Sequence, residues 1–201
     1  THAVNCDWTD VELASIPCAY STAENMLERA GVGSGERVLI TGASGGVGSA
    51  AIQLARRRGA EVVAVSTAAK ADALRSLGAA KVVDRGDVLV DVLGAGSVDV
   101  VVDLVAGPQW GQLLDVLRLG GRYIASGAIA GPIVELDIRT LYLRDLTLMG
   151  ATYQHPGVFE NLVSYIELGE TSPLVHRVYP LADIAQAQAD FAAKNFVGKL
   201  V

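Results

Sequence analysis

At 201 residues the chain can form one domain with a buried core, or one and a fraction. Apolar residues make up 51% and charged residues 19%, which excludes disorder and favours a well-covered sheet. The net charge of −6 excludes a general nucleic-acid binder, which presents a basic face.

No apolar run has the length to cross a bilayer, and no signal-peptide pattern opens the sequence, so no membrane partner is expected and cytoplasm is the expected compartment. Cys6 and Cys18 form neither a disulfide framework nor a complete metal cage. The chain starts at Thr1 rather than at methionine, and its first segment reads like the interior of a longer protein.

Residues 1–9 are polar and aperiodic. Val11 to Ala30 reads as helix, broken at Pro17 and ended by Gly31, with Ser21 or Thr22 as the N-cap of its second piece. A first strand is expected over Arg37–Thr41 and a helix over Gly46–Arg58, where Val47, Ala50, Ala51, Leu54 and Ala55 form a stripe of mostly small apolar residues. Arg56-Arg57-Arg58 suits the negative end of that helix, and Gly59 follows as its C′ residue. Further strands are expected over Val62–Val65, Lys81–Val83, Val98–Val105, Gly121–Ser126 and Leu146–Tyr153. The intervening helices are expected over Lys70–Leu77, Val88–Leu93 and Trp110–Leu119. Six apolar strands separated by helices imply an α/β fold, a doubly wound six-stranded parallel sheet of Rossmann type. The tail breaks this rhythm, with helices over Val158–Leu168 and Leu181–Ala193 and extended pieces at Val175–Tyr179 and Leu200–Val201.

The informative stretch is Arg37 to Ser49, in which a β-branched run stops at Gly42-Ala43-Ser44-Gly45-Gly46-Val47-Gly48 and passes directly into a helix. Strand, glycines, helix is the order of a dinucleotide site. Gly45 and Gly46 let the backbone approach a pyrophosphate, the first helical amides point at it, and Gly48 lets the helix sit close on the strand. A P-loop would need lysine before the serine that follows Gly48, and none is there. The loop also fits the T-G-x-x-x-G-x-G of short-chain dehydrogenases, but none of the six tyrosines has the lysine four residues on that those enzymes need.

The sequence resembles the medium-chain dehydrogenase/reductase superfamily of zinc-type alcohol dehydrogenases and quinone oxidoreductases. Gly42 to Ala55 (with Gln53), Gly31-Val32, Gly35 to Ile40, Leu77-Gly78-Ala79, Gly120-Gly121-Arg122, Tyr179 to Ile184 and Gly198 to Val201 carry the resemblance in order. It implies a cofactor-binding domain over residues 31–170, flanked by segments 1–30 and 171–201 that join a catalytic GroES-like domain of which this chain has no counterpart. The implied function is NAD(P)-dependent hydride transfer between nicotinamide and an alcohol, a carbonyl, a quinone or an enone, on a small-molecule substrate. The fragment alone is expected to be inactive. A non-catalytic nucleotide-binding sensor or scaffold is the alternative.

An NAD site places a carboxylate at the end of the second strand, whereas here the end is Ser66-Thr67. Lys70 and Arg85 stand where they could meet a 2′-phosphate, so NADP(H) is expected over NAD(H), although Lys70 also reads as an exposed helical lysine and Arg85 could instead stack on the adenine. The expected phosphate cradle is Ser44, Gly45, Gly46, Val47 and Gly48. The resemblance assigns Val105, Ser126 and Gly127 to the nicotinamide end, with a purely structural turn as the alternative for each loop, Thr22 to the nicotinamide itself, and Lys199 to the cofactor phosphates, with a solvated lysine as its alternative. By the same resemblance Cys18 is either a ligand of a catalytic zinc in the full-length enzyme or an inert thiol. The sixth strand and Leu141-Tyr142-Leu143 are either core or the edge of a homodimer.

Overall fold

A computed structural model describes residues 2–201, so Thr1 of the expected 1–30 segment lies outside the described residues. Helices α1 (Asp10–Ala14) and α2 (Ala19–Arg29) precede β1 (Arg37–Ile40), α3 (Gly46–Arg57) and β2 (Glu61–Ser66). A 3-10 turn (Ala68–Lys70) then leads into α4 (Ala71–Leu77), β3 (Lys81–Asp84), α5 (Leu89–Leu93), β4 (Val98–Asp103), α6 (Trp110–Asp115) and β5 (Leu117–Ala125). There follow α7 (Ile138–Leu143), β6 (Thr147–Gly150), α8 (Pro156–Glu167), β7 (Val175–Arg177), α9 (Ile184–Ala193) and β8 (Lys199–Leu200).

Six strands form one parallel sheet in the order β3-β2-β1-β4-β5-β6, while β7 and β8 pair separately. Alternate residues of each strand face opposite sides. Val38, Ile40, Val62, Ala64, Val100 and Val102 pack under α2, α3 and α8, whereas Leu39, Val63, Val101 and Tyr123 pack against α5 and α6. Both faces are covered, which is why the strands read as continuous apolar runs.

The expected α/β order holds, with differences in detail. Neither Ser21 nor Thr22 caps α2. The helix starts at Ala19 with Cys18 as N-cap, and both hydroxyls turn back, Ser21 Oγ to the Pro17 carbonyl and Thr22 Oγ1 to the Cys18 carbonyl at 2.7 Å. The sixth helix ends at Asp115 rather than Leu119, because Leu117 is already paired with Val98 and fully buried. Arg144 donates to the Leu114 carbonyl at 2.8 Å, supplying the partner a longer helix would have given. The short helix α7 was not expected, though its signal was present in Asp137, whose carboxylate accepts from the Arg139 amide at 2.9 Å.

The arginine cluster is more than a favourable charge at a helix end. Arg58 pairs with the buried Glu24 of α2 at 2.5 Å and donates to the Leu54 carbonyl. Arg57 pairs with Glu170 at 2.6 Å and lies over the Tyr165 ring. Gln53 ties three segments together, donating to Tyr20 Oη at 3.1 Å and to the Ser172 carbonyl at 3.2 Å while accepting from the Ser172 amide. Burial pushes the Tyr20 phenol up to about 12, so it stays protonated and donates to the Ser172 carbonyl at 2.6 Å.

Leu141, Leu146, Leu148 and Met149 pack into the cores, whereas Tyr142 and Leu143 are exposed. The outer edge of β6 has no partner strand among the described residues. No helix among them is long and apolar enough to cross a membrane.

Candidate functional site: a dinucleotide cradle at the carboxyl ends of the strands

The glycine loop connects β1 to α3 at the point where β2 and β4 depart on opposite sides of β1, the switch point at which such sheets bind ligands. Gly42 adopts φ +58°, and Gly45 is the extended N-cap of α3, at φ −76° and ψ 174°. Gly45 spends its amide on the Gly42 carbonyl at 3.0 Å, and Ser49 makes the first intrahelical bond, to Gly45, at 2.9 Å. The amides open to a pyrophosphate are therefore those of Gly46, Val47 and Gly48. A Cβ at Gly48 would stand 2.4 Å from the Gly42 oxygen and 2.6 Å from the Ala43 Cα, so only glycine permits this seating of helix on loop.

Two other segments close on the loop. A Cβ at Gly46 would meet Lys199 Cδ at 2.5 Å and the Ala19 Cβ at 3.5 Å, so Lys199 and the start of α2 both lie against it. Gly198 donates its amide to the Ser44 carbonyl at 3.0 Å. The tail is thus fastened across the cradle.

At the end of β2, Ser66 is buried and no carboxylate follows it. Lys70 reaches back to the loop, its Nζ donating to Ser44 Oγ at 3.3 Å and to the Lys194 carbonyl at 2.6 Å. Arg85 follows β3 and donates its amide to the Ser66 carbonyl at 2.7 Å. Partial burial, then the charges of Arg85 and Lys194, hold the Lys70 ammonium below its usual range. Asp84 lies beside this cluster. Its carboxylate accepts from the amides of Gly86 and Ala68, both at 2.9 Å, which holds its pKa down. The sequence reading missed both Asp84 and Lys194, since the first lies within a strand and the second is about 150 residues from the loop.

The loops after β4 and β5 are built differently. Asp103, fully buried, accepts from Thr41 Oγ1 at 2.5 Å, Tyr123 Oη at 2.6 Å and the amides of Val105 and Ala106 at 2.9 and 3.1 Å. Burial and the adjacent Asp103 carboxylate push the Tyr123 phenol well up, so its proton remains on the hydrogen bond. This network holds Ala106 at φ +53° and sets Val105 Cγ2 3.1 Å from where a Gly42 Cβ would be. Ser126 donates its hydroxyl to the Ala151 carbonyl at 2.8 Å, and a Cβ at Gly127 would stand 2.6 Å from the Leu104 oxygen. Asp103 also escaped the sequence reading, although an acid inside an apolar strand signals a buried hydrogen-bond hub.

Thr22 lies one turn beyond Ala19, on the same side of α2. Cys18 is an exposed free thiol, and no three His, Cys, Asp or Glu side chains converge among the described residues. His155 caps α8, its Nδ1 accepting from the Gly157 amide, and His176 packs on Phe196. A tetrahedral catalytic zinc needs three protein ligands, so these residues do not by themselves fit the metal.

The strand order, the glycine loop and the open amides at the start of α3 define a Rossmann dinucleotide-binding domain. Residues 46–167 match the family described as zinc-binding dehydrogenase. The chain belongs to that family, within the medium-chain dehydrogenase/reductase superfamily.

A crystal structure of a provisionally named alcohol dehydrogenase from Sinorhizobium meliloti 1021 is 53% identical, with a TM-score of 0.94 over 99% of this chain and 56% of that one. The 2-octenoyl-CoA carboxylase reductase CinF, solved in complex with NADP and 2-octenoyl-CoA, is 28% identical, with a TM-score of 0.91 over 99% of this chain and 51% of that one. The spectinabilin polyketide synthase system protein NorB of Streptomyces orinoci is 35% identical over 97% of this chain and 9% of its own length. The chain therefore spans about half of each of these two solved structures and a small part of NorB.

Proposed function

We propose that this chain is the NADP(H)-binding part of an oxidoreductase that moves hydride between nicotinamide and an alcohol or carbonyl, or a quinone or enone, of a small-molecule substrate. The observation that carries this reading is the pairing of an open helix start at Gly46–Gly48 with a β2 end, Ser66-Thr67, that carries no carboxylate of its own and lies beside Lys70 and Arg85, the neighbouring Asp84 carboxylate being held by the Gly86 and Ala68 amides. Backbone amides suit the pyrophosphate, and the buried Ser66 with Thr67 offers hydroxyls where a carboxylate would repel a 2′-phosphate. Ser44 supports Lys70, and Lys199 adds positive charge beside the loop.

The bound cofactor would supply the hydride chemistry. Val105, Ser126 and Gly127 would form the rigid floor on its nicotinamide side, with Thr22 across from it. Residues 31–170 would form the cofactor domain, and residues 1–30 and 171–201 the segments leading to the rest of a longer enzyme. The substrate's other wall and the proton donor would come from that remainder, as would any further ligands if zinc is held with Cys18. The β6 edge, with exposed Tyr142 and Leu143, is the face proposed for a homodimer, and the acidic chain with its free thiols suits the cytoplasm.

Thermal unfolding of this chain with NADP+ and with NAD+ tests the cofactor assignment. NADP+ should raise the Tm more at equal concentration, and equal shifts would overturn the preference. NADPH oxidation by the full-length protein, assayed with aldehydes, quinones and enones, tests the reaction. Tight NADPH binding without turnover on any of them would leave a nucleotide-binding module.

A further inference from the structure

Between α4 and the C-terminal segment lies a cleft of about 550 Å³, walled by Lys70 and Ala73 on one side and Asn195 and Phe196 on the other. Lys70 spans it to reach the Lys194 carbonyl at 2.6 Å. An ammonium has three donors, and Ser44 Oγ and the Lys194 carbonyl account for two, leaving one for a ligand oxygen.

Lys194 is itself set in an unusual way. It ends α9 in the left-handed conformation at φ +55°, and its ammonium rests on the Phe191 ring, 3.1 Å from the centroid. The Phe196 ring follows at a centroid distance of 6.2 Å from Phe191. A few residues on, Gly198 and Lys199 clip onto the glycine loop. The tail is therefore anchored just before and just after the cleft-lining Asn195, Phe196 and Val197.

We infer that Lys194 is a specificity-determining residue for the phosphorylated cofactor. Its carbonyl positions the Lys70 ammonium, and its own ammonium adds a third cation, with Lys70 and Arg85, to the field met by a 2′-phosphate. This assignment rests on the NADP(H) reading above and extends it, because part of the discrimination then resides on the C-terminal segment, outside the βαβ unit that carries the glycine loop. It also makes Lys70 responsive to the tail, since any change that withdraws Lys194 frees the ammonium to wander.

The test is titration of the chain with NADPH and with NADH, for the wild type and for Lys194→Gly, Lys194→Arg and Lys70→Ala. Glycine is at ease at φ +55°, so Lys194→Gly removes the charge without straining the backbone. It should weaken NADPH about five-fold, the scale of one exposed ion pair, and leave NADH within about two-fold. Lys194→Arg should restore NADPH binding, and raising the salt concentration should narrow the gap between wild type and Lys194→Gly.

If Lys194→Gly binds NADPH like the wild type while Lys70→Ala does not, the role given to Lys194 is wrong and the NADP(H) reading stands. Equal weakening of both cofactors by Lys194→Gly would likewise reduce Lys194 to a structural part. If Lys70→Ala also fails to separate the two cofactors, both readings fall.

Discussion

The two halves of the cradle achieve order by opposite means. At the phosphate half, around Gly45–Gly48 and Lys70, polar groups are held in place but left with capacity to spare. Helical amides there have no internal partner, and the Lys70 ammonium donates to two neutral oxygens with a third donor to spare. At the other half, in the loops after β4 and β5 around Asp103 and Ser126, capacity is taken up inside the protein. The Asp103 carboxylate takes two hydroxyls and two amides, the Ser126 hydroxyl is bound to Ala151, and Gly127 is pressed against Leu104. The first half suits an anion, and the second is a stiff, chemically quiet floor. Hydride transfer needs a fixed distance more than it needs a reactive side chain at that point.

That contrast is most sharply broken at Asp103. Asp103→Ala should cost about 4 kcal/mol, because the hydroxyls of Thr41 and Tyr123 and two loop amides lose a buried acceptor together. A urea midpoint that barely moved would mean the floor is not held as described. Gly48→Ala comes next, at about 1–3 kcal/mol of overpacking, since the new methyl would meet the Gly42 oxygen. Unlike Asp103→Ala, it should also abolish NADPH binding in the variant that remains folded, which a fluorescence titration would read directly.

Lys70→Ala should leave stability nearly unchanged and weaken NADPH about ten-fold relative to NADH, a difference of about 1.4 kcal/mol. Ser66→Asp should move the preference in the same direction by placing a carboxylate at the β2 end.

The smallest effect expected is with pH. A 2′-phosphate binds the protonated Lys70, whose pKa lies below its ordinary value of 10.5. The NADPH preference should therefore be present at neutral pH and fade as pH rises through the Lys70 pKa. It should fade again below about pH 6, where a phosphate monoester takes up its second proton. A preference still flat above pH 10.5, the ordinary value, would remove Lys70 from the site.

Much of the architecture was legible because it rests on local patterns. The β-branched runs, the small-residue stripe of α3 and the glycines before it each specify their own conformation within a dozen residues. Their alternation implied the parallel sheet, and the carboxylate-free Ser66-Thr67 pointed to the phosphorylated cofactor. What escaped depends on contacts between segments distant in the chain. Leu117 became strand because Val98 was there to pair with it. Arg57 and Arg58 read as helix-end charges, yet their partners Glu170 and Glu24 lie on α8's exit and on α2. Gln53 was readable as a mark of family, but its work of joining Tyr20 to Ser172 was not.

By itself the sequence determined the glycine-loop cradle between β1 and α3, where it begins, and that β2 ends on Ser66-Thr67 without a carboxylate of its own, since all three depend on residue types at fixed short spacings. Only the tertiary structure decided what surrounds that cradle. It laid Lys199 against Gly46, brought the Lys194 carbonyl to the Lys70 ammonium, and gathered the Asp103 network beneath the loops after β4 and β5. The physical reason is that hydrogen bonds and charges act through space. Their strength is set by distances and burial, and for these residues those are products of folding rather than of spacing along the chain.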